Sequence, residues 1–577
     1  MRDPHLTWPD IASATHEVTN QPPPLAGHDV AADPALLTAV SREGADWVLP
    51  ELHEIGALAG SAEVIDLARL ANEHRPALRS HDRYGNRIDE VEFHPAWHQL
   101  MTTAVGHGLH AAPWASSAPG AHVARAAKFY VWTQAEAGHG CPISMTYAVV
   151  PSLRHAPDLA ARLEPLLTAT RYDPGLRAPE AKAGLLAGMA MTEKQGGSDV
   201  RANTTRARPA GDGRYLITGH KWFCSAPMCD LFLILAQAPE GLTCFLLPRA
   251  LPDGSRNAIR LQRLKDKLGN QSNASAEVEY DGALAWPVGE PGRGIPTIIE
   301  MVSATRLDCL LGSAAAIRQA SVEAAHHAEH RRAFGAQLAQ HPAMAAVLAD
   351  LTLEAEAATA LAFRLAGAAD RAARGDEAEA ALLRLALPAA KHWVCKRAPA
   401  VAAEALECLG GNGYVEESGL PRLYRDAPLN SVWEGSGNVT ALDLLRGLAR
   451  SPGSVDVLRA EIDLARGSGP GLERAAAGLW RELADVAAAE PASAQYLARR
   501  LAGLVTVVLQ AALLVQSAPA AVSDAFCASR LGLTGDSGPA AGPASGSAGL
   551  RGPGVPFGIL PDGLDLAAVV GRARIQR

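Results

Sequence analysis

The chain has 577 residues, 48% of them hydrophobic, and a formal net charge of −8. This length exceeds what one hydrophobic core normally organises, so two to four packed units are expected. The acidic balance argues against a globally basic nucleic-acid binder, and no window has the roughly 18 uninterrupted apolar residues of a membrane span.

Cysteine and histidine spacing argues against a disulfide framework or a metal site. The eight cysteines are scattered without a Cys-x-x-Cys pair, which indicates reduced thiols. Neither His107 with His110 nor His326 with His327 has carboxylates or thiolates at ligand spacing, so no metal is predicted. The first ten residues lack an apolar export core, which favours a cytoplasmic location.

The N-terminal part of the chain is predicted to be an arm followed by a helical domain. The arm, residues 1–45, is rich in Pro and Gly, and we expect it to drape over the body or a neighbouring subunit. Over residues 46–186 apolar side chains recur every three or four positions, as at Val64, Leu67 and Ala71, which predicts helices.

The hydrophobic period then changes to two. Over residues 187–292, alternating runs such as Ala276–Tyr280 and turn signals such as Gly211–Gly213 predict a β domain. Helical spacing returns over residues 293–449, for example between Val347 and Leu351, and a four-helix bundle is the economical interpretation.

The C-terminal part is predicted to be an extra helical region followed by a tail. Residues 450–533 have helical spacing, and the apolar run Leu501–Val515 is too short to span a membrane, so we expect a buried helix. Residues 534–577 are predicted to be a flexible tail, because Thr534–Pro556 is dense in Gly, Pro, Ser and Ala.

The most informative stretch is Met189–Asp199, a glycine-rich turn between a predicted helix and a predicted sheet. Gly196 and Gly197 allow the backbone N–H groups to approach a ligand, and Thr192 and Ser198 add hydroxyl donors and acceptors. Such a turn suits a phosphate-bearing cofactor. An ordinary surface loop is the alternative, because turns favour these residues for local reasons.

This stretch resembles the Thr-Glu-x-x-x-Gly-Ser-Asp signature of the acyl-CoA dehydrogenase family. Further matches follow in the family's order and approximate spacing: His220–Ser225, Arg331–Gly335, Leu409–Gly413 and Asn430–Asn438. The resemblance is strongest to the AidB-like, alkylation-response branch of that family, on Met191–Val200 and Lys265–Ser275.

The resemblance implies an α+β fold of the acyl-CoA dehydrogenase type. Its parts are an N-terminal helical domain, a middle β domain and a C-terminal four-helix bundle, here with an extra C-terminal helical region. The implied activity is that of an FAD-dependent oxidoreductase, which performs α,β-oxidation of a short or branched acyl-CoA thioester. Shared cofactor sites in the family imply a homotetramer.

Glu434 is the catalytic base that the resemblance implies. The reaction removes an α-proton, so it needs one carboxylate that is desolvated enough to be basic. Trp433 beside it offers an apolar wall, and Gly435 offers backbone freedom. The alternative is that Glu434 merely supports the N-terminus of the following helix, where acidic residues are common.

The resemblance also implies a set of FAD contacts, and Arg331 and Phe334 are expected to reach the cofactor of a neighbouring subunit. Phe223 stands where many relatives have Trp. The full set is Met191, Thr192, Gly197, Ser198, Phe223, Ser225, Arg331, Phe334, Gly410, Gly411, Trp433, Gly435, Ser436 and Asn438.

The substrate contacts implied by the resemblance are Ser198, Ser303 and Arg306. Lys194 replaces the usual proline of the signature, and Ser303 stands where many relatives have an acid that helps to hold the CoA portion. A flavin-dependent oxidase acting on a non-CoA substrate is therefore an open alternative. Thr305 stands where the isovaleryl-CoA enzymes place their alternative base, which leaves Glu434 without an obvious rival.

A further alternative is a DNA-associated protein that protects against alkylation damage with little turnover. In the AidB-like branch the C-terminal helical region is associated with double-stranded DNA. Residues 451–577 contain eleven Arg, no Lys and eleven acidic residues, so this region is not basic overall. Folding would have to gather arginines on one face: Arg459, Arg466, Arg474, Arg499 and Arg500. Ordinary amphipathic charge on exposed helices is the competing explanation.

Overall fold

The computed structural model describes residues 15–451, 453–531 and 556–575. The N-terminal domain packs helices around a buried aromatic core that includes Trp97 and Trp132. Its helices are α1 (Pro34–Arg42), α2 (Leu49–Ala59), α3 (Ala62–Glu73), α4 (Pro95–Gly106), α5 (Ala121–Ala135), α6 (Gly140–Leu153) and α7 (Pro157–Leu167). A hairpin of β1 (Ala77–His81) and β2 (Arg87–Glu92) lies between α3 and α4.

Two features of this domain differ from the sequence-based expectation. Helix α1 begins inside the predicted arm, where the Asp33 side chain accepts a hydrogen bond from the Ala35 N–H and caps the helix. The β1–β2 hairpin interrupts a segment predicted to be helical. The Asp82 carboxylate accepts hydrogen bonds from the N–H groups of Tyr84 and Asn86, which favours a tight turn over a helix.

The middle domain is a seven-stranded sheet. Its strands are β3 (Ala187–Ala190), β4 (Arg206–Gly211), β5 (Arg214–Ser225), β6 (Leu231–Ala238), β7 (Gly241–Pro248), β8 (Ile259–Leu264) and β9 (Ser275–Val288). Strand β6 pairs with β7 as well as with β4, so the ring β6–β4–β5–β9–β7 closes on itself. Strands β3 and β8 extend the sheet by pairing with β6 and β9.

The C-terminal domain is the predicted bundle, built on long helices. These are α8 (Gly294–His330), α9 (Pro342–Ala373), α10 (Glu377–Cys408) and α12 (Gly437–Arg450), with the short α11 (Leu420–Asp426) and the strand pair β10 (Arg332–Ala333) and β11 (Ala336–Gln337) between them. A buried ion pair joins α5 to α8, with Arg125 Nη2 at 2.9 Å from Asp308 Oδ2. The bundle is thereby tied to the N-terminal domain.

The extra helical region is part of the same core. Its helices are α13 (Ser454–Asp463), α14 (Pro470–Ala488), α15 (Pro491–Ser517) and α16 (Ala520–Arg530). Helix α15 packs against α9, α10 and α12. Within the described residues it is the one helix long and apolar enough to cross a bilayer, but 83% of its apolar window is buried inside the protein.

The chain end differs in part from the predicted flexible tail. Residues 534–555 lie outside the described residues, but residues 556–575 pack on the bundle and form α17 (Leu566–Gly571). Val569 and Val570 are buried there, and the Arg572 guanidinium makes two hydrogen bonds to Glu356 on α9. Apolar side chains beyond the glycine-rich stretch therefore anchor this end of the chain.

Candidate functional site

The loop that enters α12 carries Glu434 in a strained backbone conformation. It follows a 3₁₀ turn, Ala427–Ser431, and Glu434 adopts a φ of 58°, in the left-handed region that non-glycine residues avoid. The next residue, Gly435, has a φ of 97°, which only glycine adopts readily. Such strain persists only where the surroundings enforce it, and it is common at functional sites.

Two buried cations enforce this conformation. The Lys391 ammonium on α10 donates hydrogen bonds to the carbonyl oxygens of Trp433 and Gly435, both at 2.8 Å. Arg306 Nε on α8 donates to the Glu434 carbonyl at 2.8 Å, and its Nη1 pairs with Asp443 at 2.7 Å. Three consecutive carbonyls of the loop thus face a fixed positive charge.

The Glu434 carboxylate is held beside Thr305 in a desolvated environment. Thr305 is buried on α8, and its hydroxyl donates to Glu434 Oε2 at 2.7 Å. Burial raises the pKa of Glu434 above its ordinary value, while the Thr305 hydroxyl, Lys391 and Arg306 act in the opposite direction. A carboxylate with a raised pKa is a better proton acceptor, as a catalytic base requires.

The loop that carries this carboxylate also has backbone N–H groups without a main-chain acceptor. No main-chain carbonyl of the described chain accepts a hydrogen bond from the N–H groups of Glu434, Gly435 or Ser436. Helix α12 starts directly afterwards, at Gly437, and the first N–H groups of a helix have no partner inside it. The loop therefore presents free N–H donors that suit a carbonyl oxygen or a phosphate.

The signature loop is pinned by a buried ion pair. The Glu193 and Lys221 side chains are fully buried, and Lys221 Nζ lies 2.8 Å from Glu193 Oε1. Glu193 also accepts hydrogen bonds from the N–H groups of Thr204 and Thr205. Burial works against ionisation of Glu193, but the hydrogen bond from Lys221 and the other donors outweigh it and hold its pKa well below the usual range.

Within this loop Gly197 lets the backbone approach the Thr192 side chain more closely than any residue with a Cβ would allow. A Cβ added to Gly197 would lie 2.3 Å from the Thr192 hydroxyl oxygen. The Thr192 carbonyl accepts a hydrogen bond from the Trp222 N–H at 2.8 Å, which fixes the loop against β5. Ser198 is exposed and Met191 is half-buried, so both border open space.

Strand β5 presents an aromatic face next to this loop. Phe223 is 48% exposed, which is high for a large apolar side chain, and it suits contact with a planar ring. The Ser225 and Ser275 hydroxyl oxygens are 3.2 Å apart. Burial raises the pKa of the Cys141 thiol to about 12, although the Ser225 side chain acts in the opposite direction. The end of β5 therefore places an exposed aromatic ring near two neighbouring hydroxyls.

The structure does not bring Arg331 and Phe334 to this site within one chain. Both follow the C-terminal end of α8, a helix of 37 residues. Arg331 is 26 positions beyond Thr305, so the helical rise separates the two by about 39 Å. Phe334 is 96% exposed with a φ of 51°, and Arg331 Nη1 donates to the Asn20 carbonyl. Within one chain they therefore lie far from the Glu434 loop.

Four of the remaining predicted FAD contacts lie at exposed positions. Ser436 and Asn438 are exposed at the start of α12, and Gly410 and Gly411 are exposed after α10 with open space where a Cβ would be. These four positions leave room for a cofactor.

The two α8 positions predicted to contact substrate behave differently from each other. Ser303 is exposed on α8, and its hydroxyl donates to the Ile299 carbonyl. The Arg306 guanidinium is buried, and it donates to the Glu434 carbonyl and pairs with the Asp443 carboxylate. Its position in the core makes it a support for the loop.

Sequence reasoning missed Lys391 and the contact between Thr305 and Glu434. Lys391 lies 42 residues before Trp433 in the chain, so no local motif connects them. One signal was available: Lys391 follows the apolar run Leu385–Ala390, and Trp393 and Val394 come shortly after it. A buried lysine in such a run must find acceptors, and here they are backbone carbonyls.

Three family models match successive parts of the chain. The adaptive response protein AidB N-terminal domain matches residues 20–174, the acyl-CoA dehydrogenase middle domain matches residues 188–283, and the acyl-CoA dehydrogenase C-terminal domain matches residues 292–449. These three ranges contain every residue assigned above to the site.

Individual members of this family are also similar to the chain in sequence and in structure. The chain is 50% identical to AidB of Escherichia coli over 475 residues, which is 81% of this chain and 87% of that protein. It is 32% identical to acyl-CoA dehydrogenase family member 11 of Caenorhabditis elegans, over 67% of this chain and 64% of that one. The crystal structure of Caenorhabditis elegans ACDH-11 in complex with C11-CoA superposes with a TM-score of 0.80 and 25% identity, covering 92% of this chain and 94% of that chain.

Proposed function

Because the chain belongs to the acyl-CoA dehydrogenase family as a homologue of AidB, we propose that it oxidises a short or branched acyl-CoA thioester at its α,β-bond. It is an FAD-dependent oxidoreductase of that family, and the flavin, when bound, supplies the hydride acceptor. The observation that carries the proposal is the half-buried Glu434 carboxylate, with its raised pKa, on a strained loop with free N–H donors.

Glu434 is the base in this proposal. Its carboxylate takes the α-proton of the thioester, and the proton ends on the Glu434 side chain. The electron pair of that C–H bond moves toward the thioester carbonyl and then forms the α,β-double bond as the β-hydrogen leaves as hydride, for which a bound flavin would be the acceptor. The Glu434 N–H donates to that carbonyl oxygen, which gains negative charge as the proton leaves. Thr305 holds the carboxylate in place through its 2.7 Å hydrogen bond.

The residues present fit a flavin and its phosphates. The exposed Phe223 ring and the Ser225 hydroxyl suit the ring system, and the unpaired N–H groups at the start of α12 suit negatively charged oxygens. The proposed FAD contacts on the same subunit are Met191, Thr192, Gly197, Ser198, Phe223, Ser225, Trp433, Gly435, Ser436 and Asn438. Arg331, Phe334, Gly410 and Gly411 are proposed to serve the cofactor of a neighbouring subunit in a homotetramer.

The purified protein tests this proposal directly. We expect about one FAD per subunit, a tetramer by light scattering, and bleaching of the flavin absorbance on anaerobic addition of short or branched acyl-CoA thioesters. A colourless monomer that FAD does not reconstitute would contradict the proposal. Oxygen consumption with a non-CoA substrate, without reduction by any acyl-CoA, would favour the flavin oxidase alternative.

Association with double-stranded DNA is a second candidate function, favoured by the position of the C-terminal arginines. All five arginines considered from the sequence are exposed on the extra helical region: Arg459, Arg466, Arg474, Arg499 and Arg500. Two of them are engaged, since Arg459 stacks on the Trp480 ring at 4.7 Å and Arg500 pairs with Glu482 at 2.8 Å. We propose that these arginines together form a surface for a duplex, within a region of no net charge.

Such a surface predicts weak, salt-dependent binding. Duplex affinity should fall steeply with salt, because it would come from release of counterions. Replacing Arg474 with Gln should reduce the slope of log affinity against log salt by about 1 if that residue contacts a phosphate. Arg208→Gln on the exposed side of β4 is the matched control and should leave the slope unchanged. Undetectable binding of the parent at low salt would remove this candidate.

A further inference from the structure

We propose that Lys391 is a positioning residue that orients and polarises the Trp433–Glu434 and Gly435–Ser436 peptide groups of the loop that carries Glu434. This inference rests on the proposed function and names a group that assists it without contacting the substrate. The sequence gives Lys391 no motif, and its role follows from where its ammonium lies in the structure.

The geometry commits the Lys391 ammonium to the loop that carries Glu434. It is 1% exposed in the middle of α10, and its ammonium donates to the carbonyls of Trp433 and Gly435 at 2.8 Å each. An ammonium group carries three donors, and two are committed to this loop. Burial of a charge is costly unless it is well hydrogen-bonded, so this contact fixes the loop and the lysine together.

The two carbonyls belong to the peptide groups that supply neighbouring N–H donors. The Trp433 carbonyl shares its peptide with the Glu434 N–H, and the Gly435 carbonyl shares its peptide with the Ser436 N–H. All peptides in the described chain are trans, so each N–H points away from its own carbonyl and therefore away from Lys391. The free N–H of Glu434 lies on the opposite side of the peptide from the ammonium.

A cation on a carbonyl oxygen strengthens the N–H donor of the same peptide. Hydrogen bonds in sequence polarise one another, and the effect is larger in a buried site of low dielectric. The Lys391 charge is thereby transmitted through the peptide to the Glu434 N–H, where the thioester oxygen gains negative charge in the proposed reaction. Arg306 does the same for the peptide that ends at the Gly435 N–H.

The same charge acts on the carboxylate of Glu434. Burial raises the pKa of Glu434, and Lys391 opposes this rise. Loss of the lysine would leave the base more often protonated at neutral pH. It would also leave two buried carbonyls without their partner and remove one of the two restraints on the left-handed backbone.

The test uses holoenzyme and acetoacetyl-CoA, a 3-oxoacyl thioester whose α-proton is acidic enough to ionise on the enzyme without turnover. Its bound enolate beside oxidised flavin gives a long-wavelength absorption band, so the pH at which the band appears measures enolate stabilisation. In Lys391→Met we expect this apparent pKa to rise by about 1 to 2 units, a 10- to 100-fold loss of stabilisation. The acid limb of the acyl-CoA reduction rate should move to higher pH.

Two further variants distinguish a positioning effect of Lys391 on the Glu434 loop from a general effect on the stability of the fold. Lys391→Arg keeps the charge and should recover part of the loss. Lys128→Met is the control, because Lys128 also donates to a backbone carbonyl, that of His107, but lies in the N-terminal domain. It should leave the enolate pKa unchanged. If Lys391→Met does not retain FAD, Lys391→Gln replaces it, since Gln keeps a donor and removes the charge.

The outcomes distinguish this inference from the proposed function. A parental enolate pKa and a parental reduction rate in FAD-bound Lys391→Met or Lys391→Gln would overturn the role of Lys391 alone. Equal shifts in Lys128→Met would also overturn it, because they would show a general effect on stability. A parent that forms no enolate band and is reduced by no acyl-CoA would contradict the proposed function itself.

Discussion

Replacing Glu434 with Gln should lower the rate of flavin reduction by acyl-CoA by about 10³-fold or more and leave FAD bound. The amide keeps the shape of the side chain and a hydrogen-bond acceptor for Thr305 but has no basicity. The backbone N–H at this position is unchanged, so substrate affinity should change little. Anaerobic stopped-flow measurement of flavin bleaching gives the rate, and the absorbance spectrum of the purified variant gives FAD content.

The pH dependence of the parent provides an independent check on the same residue. Glu434 must be ionised to accept the proton, and burial raises its pKa, so the reduction rate should fall as the pH drops through that raised value. Glu417→Gln, a change at an exposed carboxylate after α10, is the matched control. Equal reduction rates in Glu434→Gln and the parent would remove Glu434 from the role of base.

Replacing Glu193 with Ala should destabilise the fold by about 3 to 5 kcal/mol, because it leaves the Lys221 ammonium buried without its counterion. The signature loop should lose its anchor as well, since the N–H groups of Thr204 and Thr205 lose their acceptor. We therefore expect a lower midpoint of thermal unfolding together with weaker FAD retention, measured by flavin fluorescence released on dilution.

Two comparisons sharpen this expectation. Glu92→Ala removes an exposed partner of Arg79 and should cost no more than about 1 kcal/mol. Changing Lys221 to Met in the Glu193→Ala background should recover part of the loss, because no uncompensated charge remains. Thermal unfolding of Glu193→Ala indistinguishable from that of Glu92→Ala would show that the buried pair does not anchor the loop.

The pH dependence of stability follows from the same pair. The folded-state pKa of Glu193 is depressed, so its contribution to stability is present above the unfolded-state pKa and is lost as the pH falls through the folded-state value. The parent should therefore lose stability in acid more steeply than Glu193→Ala.

The three-part fold and the FAD dependence predicted from the sequence are confirmed, and the reasons are local. Alternation at Ala276–Tyr280 reports a strand with one buried face, and these residues fall in β9. The turn Asp82–Asn86 was missed because side-chain acceptance of backbone N–H groups overrides a short helical pattern. The packing of the chain end was not predicted because the composition of Thr534–Pro556 was extended to residue 577, past the apolar pair Val569 and Val570.

The candidate site shows a different limit of sequence reasoning. Motifs identify the loop around Glu434 because its residues are contiguous in the chain. The groups that hold this loop come from α8 and α10, and Lys391, Arg306 and Thr305 converge on it only in three dimensions. Likewise, the distance of Arg331 from the site follows from the length of α8, which no short motif encodes.

The burial of α15 has a consequence for how the C-terminal bundle unfolds. This helix packs on α10, which carries Lys391, and on α12, whose first turn adjoins Glu434. Amide protons in α15 should therefore exchange with solvent only through unfolding of the whole bundle, at the same rate as those of α10. The C-terminal region and the Glu434 loop should therefore unfold together, and a deletion at residue 450 should expose an apolar surface in place of yielding a minimal dehydrogenase.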